Sequence, residues 1–454
     1  MKYTSYKDPA GFVFCLDGVV YRQINNCAKK DYDLLINSGL YKKLAENKML
    51  ISHEEVCIEK EPDANAYKYI KPEQIKYISY PYEWAFSALK DAALLTLKIQ
   101  KTALKYGMTL KDASAYNIQF LEGKPVFIDT LSFEEYEQDT PWKAYGQFCR
   151  HFLAPLALMS YTDINLNKLL ITNIDGIPLD LAQKLLPAMA KLNFGVLTHI
   201  VLHSLSQKTF EDKKQSCAKS AKMSMFELES LLDSLENTVR GLKFPDIYTE
   251  WGNYYENTNY SDESFSEKKT IIAHFINKVE PSSLCDLGSN RGDFSRIASE
   301  KDIQTVAFDI DPVAIEDNYR HVKKYKETNI LPLLQDFNNP SPAIGFMNDE
   351  RAGFCSRFKC DMAMALALIH HLAISNNLPF KNIAEFFASI ARYLIIEFVP
   401  KTDSKVQILL SSREDIFDKY DIENFEKEFC SYFDILEKSC IKNSQRTLYL
   451  MRRK

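Results

Sequence analysis

Residues 284–294 read LCDLGSNRGDF, and this stretch decides the fold class of the C-terminal half. It predicts a buried strand that runs into a glycine-containing turn and then into a helix. Gly288 and Gly292 let the backbone approach a ligand closely, where a Cβ atom would collide. The spacing is not G-x-G-x-x-G, which argues against a plain NAD site. Asp286 precedes the glycines, which favours a small charged or polar ligand held without a phosphate.

The residues around this stretch alternate between helical and strand patterns from residue 268 to residue 454. Strands are predicted over 283–287 and 305–309, and helices over 268–279, 293–300 and 312–326. Alternation of this kind predicts an α/β fold, with a parallel sheet covered by helices on both faces. The turn after the first strand then lies at the carboxyl ends of the strands, where ligands bind.

Two further acids follow the next predicted strands. Asp309 ends the second strand, where a carboxylate can accept both hydroxyls of a ribose. Asp336 ends the third strand and can accept from an adenine amino group. A lone Asp is more often a turn residue or a helix cap. Three acids at successive strand ends, together with the glycine turn, are hard to explain as caps.

These residues resemble the motifs of the class I S-adenosylmethionine-dependent methyltransferases, over about residues 246–454. The resemblance implies a Rossmann-like seven-stranded sheet in which the glycine loop accommodates the methionine part of the cofactor. It implies that the second-strand acid holds the ribose and that the third-strand acid contacts adenine. Asn290 stands where many members carry another Gly. The implied cofactor-binding residues are Asp286, Gly288, Asn290, Gly292, Asp309, Ile310, Asp336, Phe337 and Ala365.

Residues 360–372, CDMAMALALIHHL, resemble the fourth strand of that family and its active-site loop, and 393–398 resemble the fifth strand. Residues 447–451 are predicted to form a closing edge strand. If the acceptor is a hydroxyl, His370 or His371 has the right type of pKa for a general base. His370 is slightly favoured, and the alternative is that His371 caps a helix or packs. Glu397 is a candidate to orient the substrate or that His, and a structural salt bridge is its alternative.

A narrower resemblance links the chain to the NoeA-type group of nodulation proteins. It rests on residues 251–255 (WGNYY), 365–372 and 397–401 (EFVPK). Trp251, Tyr254, Tyr255 and Tyr260 precede the domain and are candidates to cover the cofactor. Ordinary packing between domains explains them equally well.

The N-terminal half holds a second group of polar residues in residues 110–129, LKDASAYNIQFLEGKPVFID. Asp112, Asn117 and Asp129 flank a predicted hairpin with a Glu-Gly turn, and such a trio can position a hydroxyl and hold Mg²⁺ between phosphates. The stretch resembles the catalytic loop and metal-binding Asp of the protein-kinase and aminoglycoside-kinase fold. By that resemblance Asp112 is the catalytic-loop Asp, Asn117 and Asp129 are the metal ligands, and ATP with Mg²⁺ is the implied cofactor. An ordinary hairpin is the alternative.

Departures from the kinase pattern predict a degenerate module. Leu110 stands where the family has His, Thr130-Leu131 follows Asp129 instead of Phe-Gly, and no glycine-rich loop is evident. Arg22 lies roughly where the phosphate-binding Lys belongs, and Arg does not replace that Lys neutrally. Two strands around an Asp-Gly turn are predicted within residues 11–24, helices over 28–47 and 84–105, and an almost wholly helical stretch over 141–245.

Composition limits the class of protein. The 454 residues predict two or three domains, and 46% apolar with 26% charged residues is typical of globular proteins. A net charge of -5 makes a nucleic-acid partner a poor first expectation. The N-terminal residues carry no apolar signal-peptide core, and no apolar run is long enough for a membrane span. Ten scattered cysteines without zinc spacing favour reduced thiols in a cytoplasmic protein.

The sequence therefore predicts a kinase-like domain with a helical extension over 1–245 and a methyltransferase domain over 246–454. The leading hypothesis is S-adenosylmethionine-dependent methylation of a small molecule, such as a saccharide or secondary-metabolite hydroxyl. One alternative is a bifunctional protein whose N-terminal domain also transfers phosphate. The other is a methyltransferase fold that binds the cofactor as a scaffold without turnover, which the joint presence of the glycine turn and three acids disfavours.

Overall fold

The computed structural model describes residues 7–58, 64–205, 222–249, 252, 262–411 and 414–454. The chain divides into two compact units. The first comprises Met1–Asp246 and Ala343–Ala352, and the second comprises Ile247–Pro342 and Gly353–Lys454. The short segment 343–352 therefore groups with the first unit, although its neighbours in the chain belong to the second. Among the described residues no helix is long and apolar enough to cross a membrane.

The first unit begins with a four-stranded antiparallel sheet in the order β1-β2-β4-β3. Its strands are β1 (Gly11–Leu16), β2 (Val19–Asn25), β3 (His53–Val56) and β4 (Ala66–Pro72). Asp17 and Gly18 join β1 to β2 with φ angles of 52° and 82°. Two consecutive left-handed residues are what a tight two-residue hairpin requires. The predicted Asp-Gly turn is confirmed.

Two short strand pairs follow in the same unit. They are formed by β5 (Met108–Leu110) with β8 (Phe133–Glu135), and by β6 (Ile118–Leu121) with β7 (Lys124–Phe127). Glu122 and Gly123 connect β6 to β7 with φ angles of 50° and 71°. The hairpin predicted to lie before Asp129 is thus confirmed.

One predicted helix of the first unit is divided in the structure, and residues 206–221 of the predicted helical stretch 141–245 lie outside the described residues. The single helix predicted over 28–47 is wrong, because the chain breaks at Ser38-Gly39, where Gly39 has a φ of 82°. A residue in that conformation cannot continue a right-handed helix. The helices of this unit are Lys29–Asn37, Leu40–Glu46, Phe86–Leu104, Tyr145–Phe148, Ala154–Tyr161, Leu169–Thr172, Leu179–Leu185, Phe194–Val196 and Met225–Gly241, and π-helical turns cover Cys149–Leu153 and Leu197–Leu202.

The second unit contains the predicted seven-stranded α/β sheet, in the order β11-β10-β9-β12-β13-β15-β14. Its strands are β9 (Ser283–Leu287), β10 (Gln304–Asp309), β11 (Ile330–Leu334), β12 (Cys360–Ala365), β13 (Ala391–Phe398), β14 (Phe433–Cys440) and β15 (Thr447–Arg453). All strands are parallel except β15, which pairs antiparallel with both β13 and β14. Every residue of β9 is buried, as expected for a parallel strand covered on both faces.

The prediction that residues 447–451 form the edge strand is wrong. β15 lies inside the sheet, and β14 forms the edge. The continuous apolar run of β15 suits a position with neighbours on both sides, and its first five residues are buried. β14 instead has one buried residue, Phe433, followed by half-buried and exposed positions, and it carries charges such as Lys438, which suits an edge strand.

Helices cover this sheet and complete its core. They are Asp262–Val279, Ser295–Ser299, Pro312–Tyr325, Phe354–Arg357, Phe380–Ile390, Ser404–Ser411 and Ile422–Phe429, with a π-helical turn at His371–Ser375. Ile272 and Phe275 of the first helix pack with Leu284, Met364 and Ile395 of the central strands in one buried cluster. This packing holds the carboxyl ends of β9, β12 and β13 in fixed positions.

Candidate functional site

The candidate site lies at the carboxyl end of β9. The chain runs from β9 to β10 and β11 on one side, and then returns to β12 on the other side of β9. A parallel sheet opens a ligand crevice where its strand order reverses in this way. A Cβ atom added to Gly288, after β9, would lie 3.5 Å from the Leu368 side chain, after β12. The glycine turn and the loop after β12 therefore face each other across this point.

The turn after β9 is built from three left-handed residues. Gly288, Asn290 and Gly292 have φ angles of 82°, 49° and 81°. A Cβ atom on Gly292 would lie 2.6 Å from Asn318 Nδ2 and 2.8 Å from Arg296 Nη1, so these side chains would have to shift, and the φ of 81° itself disfavours any residue with a side chain. Asn tolerates the left-handed conformation better than most residues, which explains why it can stand where many methyltransferases carry glycine.

Asp286 is buried beneath this turn. Ser295 Oγ donates to its Oδ2 at 2.6 Å. Its Oδ1 is buried and has no hydrogen-bond partner among the described residues. Burial raises the pKa of this carboxyl to about 7. A buried acceptor without a donor is costly for the fold, so Oδ1 is a position that a ligand donor can complete.

Asp309 ends β10 next to the same turn. Its Oδ2 accepts from the Asn290 backbone N–H at 2.7 Å, and its Oδ1 accepts from the Asp311 backbone N–H at 2.9 Å. Burial raises the pKa of Asp309 to about 6. The Ile310 backbone N–H also contributes to this carboxylate, and a carboxylate has about four lone-pair positions, so it can still accept from a ligand hydroxyl. Asp311 caps the helix Pro312–Tyr325, so helix capping does not account for Asp309.

The third acid is held more loosely. Asp336 lies two residues beyond the end of β11 and is only half-buried. Its Oδ1 accepts from the Asn338 backbone N–H at 2.8 Å, which is a turn role of the kind expected for a lone Asp. Phe337 packs edge-on against Phe308, with ring centroids 6.0 Å apart. Ile310 is exposed beside Asp309, and Ala365 is buried at the end of β12.

The two predicted histidines follow β12 and touch each other, with ring centroids 4.2 Å apart. His370 is buried, and its Nδ1 has no partner within the described part of the chain. Burial, His371, Arg446 and Lys268 together hold the pKa of His370 well below its usual value. Burial and Arg446 lower the pKa of His371 to about 4. Both rings are therefore neutral near pH 7, and the half-buried His371 is the more accessible of the two, against the slight preference for His370.

Glu397, the third catalytic candidate, lies in a buried network of charges. Its Oε2 accepts from Lys268 Nζ and from the Ala367 backbone N–H, each at 2.7 Å. Its Oε1 lies 3.6 Å from Arg446 Nη1, and Arg446 Nε donates to Asp403 Oδ2 at 2.7 Å. The salt bridge that the sequence left open as an alternative is present. Ala367 has a φ of 48°, which is uncommon for a residue with a Cβ atom, and Glu397 holds it there.

Sequence reasoning missed the partners of Glu397. Lys268 and Arg446 lie far from Glu397 in the chain, and Lys268 stands between charges of both signs, Glu267 and Lys269. The one local signal is that Arg446 directly precedes the mostly apolar start of β15. The lid candidates Trp251, Tyr254, Tyr255 and Tyr260 lie outside the described residues.

In the first unit, the candidate kinase-like residues come together around a cation. Arg22 forms an ion pair with Asp129 Oδ1, which also accepts from the Leu131 backbone N–H at 3.0 Å. Ser132 Oγ donates to Asp129 Oδ2 at 2.6 Å and accepts from Asn117 Nδ2 at 3.2 Å. Asp112 accepts from the Ser114 backbone N–H at 2.9 Å. Burial lowers the pKa of Arg22 to about 10, opposed by Asp8 and Asp112.

This arrangement does not suit a magnesium ion. Both oxygens of Asp129 already have protein partners, and one partner is the positively charged Arg22. Within the described ranges, no group of three or more His, Cys, Asp or Glu side chains is arranged to hold a metal ion. Asn117 and Asp129 are near each other as expected, but a guanidinium stands against the carboxylate that the resemblance assigns to the metal.

Comparison with known proteins shows that the chain is similar in sequence to one curated protein. No protein-family model matches it. It is 34% identical over 460 residues to the nodulation protein NoeA of Rhizobium meliloti (strain 1021), an alignment that covers 99% of this chain and 95% of that protein.

Solved structures resemble part of the chain at low identity. WbdD is 15% identical with a TM-score of 0.30, over 44% of this chain and 42% of that one. Magnesium protoporphyrin IX methyltransferase from Synechocystis PCC 6803, with bound SAH, is 14% identical with a TM-score of 0.32, and the match covers 45% of this chain and 93% of that one. The N-methyltransferase NodS from Bradyrhizobium japonicum WM9 is 10% identical with a TM-score of 0.31, and the match covers 42% of this chain and 98% of that one.

Proposed function

The chain belongs to the NoeA family of nodulation proteins, and we propose that it transfers a methyl group from S-adenosylmethionine to a hydroxyl of a small molecule, such as a saccharide or secondary metabolite. The second unit is the methyltransferase domain in this proposal. The observation that carries it is the pair of buried carboxylates, Asp286 and Asp309, beside a left-handed glycine turn at the reversal point of the sheet. Neither forms a salt bridge among the described residues.

The residues of the crevice fit the cofactor group by group. The unpartnered Oδ1 of Asp286 suits the ammonium of the methionine part. Gly288 leaves room at the turn, since the three atoms nearest to a Cβ atom built there all belong to Leu368, at 3.5–3.9 Å. The remaining lone pairs of Asp309 suit the two ribose hydroxyls. Exposed Ile310 and the free Oδ2 side of Asp336 are the candidates for the adenine.

The chemistry follows from positioning. When bound, S-adenosylmethionine would supply a methyl group on a positively charged sulfur; in-line attack by a nucleophile would break the carbon–sulfur bond and leave neutral S-adenosylhomocysteine. Alignment of the reacting atoms alone can lower the barrier by several kcal/mol. A neutral imidazole accepts the proton of the acceptor hydroxyl as its oxygen forms the new bond to carbon. His371 is the better placed base because His370 is almost fully buried.

Glu397 acts in this proposal as a positioning residue. Its carboxylate receives the Ala367 backbone N–H and the Lys268 ammonium, so it holds the loop that faces the glycine turn. A carboxylate held by two cations is a poor proton acceptor, because the cations favour its charged form. The substrate-orienting role considered for Glu397 therefore becomes support of the loop after β12.

For the first unit we propose a kinase-like module that does not transfer phosphate. Arg22 pairs with the carboxylate that the resemblance assigns to the metal, and Ser132 holds the other oxygen. A metal ion at Asp129 would have to share the carboxylate with the positively charged Arg22. The bifunctional alternative therefore has no supporting observation in the geometry.

Titration calorimetry with S-adenosylmethionine and S-adenosylhomocysteine tests the main proposal. We expect the wild-type protein to bind both, and Asp309→Ala to bind at least tenfold more weakly, because a charge-assisted hydrogen bond contributes about 1.5–3 kcal/mol. Asp434→Ala is the matched control, since Asp434 lies on the edge strand β14 and its side chain is 46% exposed. Absence of binding, or equal affinities for wild type and Asp309→Ala, contradicts the proposal.

A further inference from the structure

A polar cleft of about 340 Å³ lies in the second unit beside Arg446. It is lined by Ser264 and by residues 402–403 and 443–446. These loops follow β13 and connect β14 to β15, and Phe398 at the end of β13 pairs with Thr447 at the start of β15. The cleft therefore opens at the same edge of the sheet as the carboxyl ends of the parallel strands. Its volume is at the small end of the range for ligand pockets, about 300–1,000 Å³.

The cleft shares a wall with the proposed reaction centre. Arg446 lines the cleft and also lies 3.6 Å from Glu397 Oε1. Glu397 in turn holds Ala367 in the loop that leads to His370 and His371. The charge of Arg446 also contributes to the lowered pKa of both rings. A molecule in the cleft thus lies against the residue that pairs with Glu397, the support of the histidine loop.

The lining of the cleft has the chemistry of a hydrogen-bonding site without net charge. Its two charged side chains neutralise each other, because Arg446 Nε and Nη2 donate to Asp403 at 2.7 and 3.1 Å. The other lining side chains are hydroxyls and amides, and none is aliphatic or aromatic.

Several of these groups retain hydrogen-bonding capacity within the described residues. The Thr402 hydroxyl donates to Gln445 Oε1, which leaves the two N–H groups of Gln445 available. Asn443 Nδ2 donates to Glu263 at 3.4 Å, and the Asn443 carbonyl oxygen remains available to accept a hydrogen bond. Ser444 Oγ accepts from the Arg446 backbone N–H at 3.2 Å, and the Ser444 hydroxyl hydrogen remains available to be donated. Both donors and acceptors are therefore available along residues 443–445.

From this lining we infer that the cleft binds the methyl acceptor and that the part it holds is a neutral polyhydroxylated group, such as a sugar ring. The inference rests on the proposed methyl transfer, since it makes the cleft the acceptor side of that reaction. An apolar ligand would leave the lining amides and hydroxyls without partners, which is unfavourable. A charged ligand would find no excess charge of opposite sign. A hydroxyl can both donate and accept, so a ring of hydroxyls matches the mixed lining.

The test uses a fixed panel of neutral sugars as probes: glucose, galactose, mannose and N-acetylglucosamine, each as the methyl glycoside. Saturation-transfer NMR and calorimetry are run on the full chain with S-adenosylhomocysteine present. We expect at least one sugar to bind and Gln445→Leu to weaken that binding about tenfold or more. The matched control is Asn237→Leu, in an exposed polar cleft of the first unit, which should leave sugar binding unchanged. If no sugar binds, or if Gln445→Leu binds as well as wild type, the inference is wrong.

Two further measurements distinguish a failure of this inference from a failure of the proposed methyl transfer on which it rests. Affinity for S-adenosylhomocysteine and the thermal midpoint are measured for every variant, and Gln445→Leu should change neither. Cofactor binding without sugar binding overturns the cleft assignment alone. Sugar binding without cofactor binding overturns the proposed methyl transfer, and the acceptor role of the cleft with it. Glucose 6-phosphate should bind more weakly than the methyl glucoside, and tighter binding would overturn the neutral ligand class.

Discussion

Glu397→Gln is the substitution with the largest expected effect on the second unit. It preserves the shape of the side chain and removes the charge that faces Lys268 and Arg446. The Glu397 side chain is 0% exposed and that of Lys268 is 2% exposed, so water cannot replace the missing partner. Removing one member of a buried ion pair costs about 3–5 kcal/mol. For a unit of roughly two hundred residues, about 2–4 °C per kcal/mol converts this to a midpoint lower by about 6–20 °C.

A matched control exists in the same unit. Glu437 also pairs with a lysine, Lys278, at 2.6 Å, compared with 2.7 Å for Glu397 and Lys268. Its side chain is 29% exposed, and pairs at the protein surface contribute about 0.2–1 kcal/mol. Glu437→Gln should therefore lower the midpoint by less than about 4 °C. The two variants remove a carboxylate charge at nearly the same distance from a lysine Nζ. They therefore differ mainly in how deeply the ion pair is buried.

The assay must report on the second unit alone, because two units need not unfold in one transition. Hydrogen exchange followed by mass spectrometry meets this need, with peptides from β12 and β13 as reporters and peptides from Phe86–Leu104 as the internal reference. Glu397→Gln should increase exchange in the reporters and at the Ala367 amide, which loses its charged acceptor. Equal and small effects of the two Glu→Gln variants would refute the reasoning from burial.

The pH dependence of the same variant carries a definite sign. Burial lowers the pKa of Lys268 and Glu397 raises it, so the variant has the more depressed pKa. The unfolded state then binds more protons than the folded state, and the free energy of unfolding rises with pH. Glu397→Gln should regain stability as the pH rises toward the ordinary lysine pKa of 10.5, more than Glu437→Gln does. A flat profile would show that Lys268 does not carry the uncompensated charge.

Three further expectations concern the buried carboxylates, the two histidines and the kinase-like residues. Because burial raises the pKa of Asp286 to about 7 and that of Asp309 to about 6, calorimetric affinity for S-adenosylhomocysteine should fall as the pH drops from 8 to 5; a constant affinity would contradict their role. His371→Ala should lower kcat by about 10²–10⁴-fold and more than His370→Ala does, and wild-type rates in both variants would remove the general base. Magnesium and ATP should give neither a thermal shift nor phosphate release; turnover that is lost in Asp129→Ala would instead show an active kinase site.

Features that depend on neighbouring residues could be predicted from the sequence. The Asp17-Gly18 and Glu122-Gly123 turns need left-handed residues at fixed positions, so the residue types alone indicate them. The strand before Gly288 is a short apolar run that ends at a glycine, and the structure places β9 there. These features can be predicted because the backbone geometry they require depends on adjacent residues and not on how distant elements pack.

Features that depend on distant partners could not be predicted in the same way. The pairing of Lys268 with Glu397 spans 129 residues, and that of Arg22 with Asp129 spans 107. No periodic pattern links such positions, because ion pairing depends on where whole elements pack. For the same reason, the sequence did not indicate that residues 343–352 group with the first unit.

The acidic residues that the sequence analysis singled out differ in whether a positively charged side chain pairs with them. Glu397 and Asp129 are each neutralised by a buried cation of the chain, and each thereby becomes part of the protein framework. Asp286 and Asp309 are equally buried but form no such pair among the described residues, and burial therefore raises their pKa. A raised pKa means that the folded state binds more protons, so these two groups reduce the stability of the ligand-free protein as the pH rises through about 6 to 7. A ligand that brings an ammonium and hydroxyl donors relieves this unfavourable charge and stabilises the fold on binding. Buried carboxylates that lack a cation of their own are thus the ones best suited to hold a cofactor.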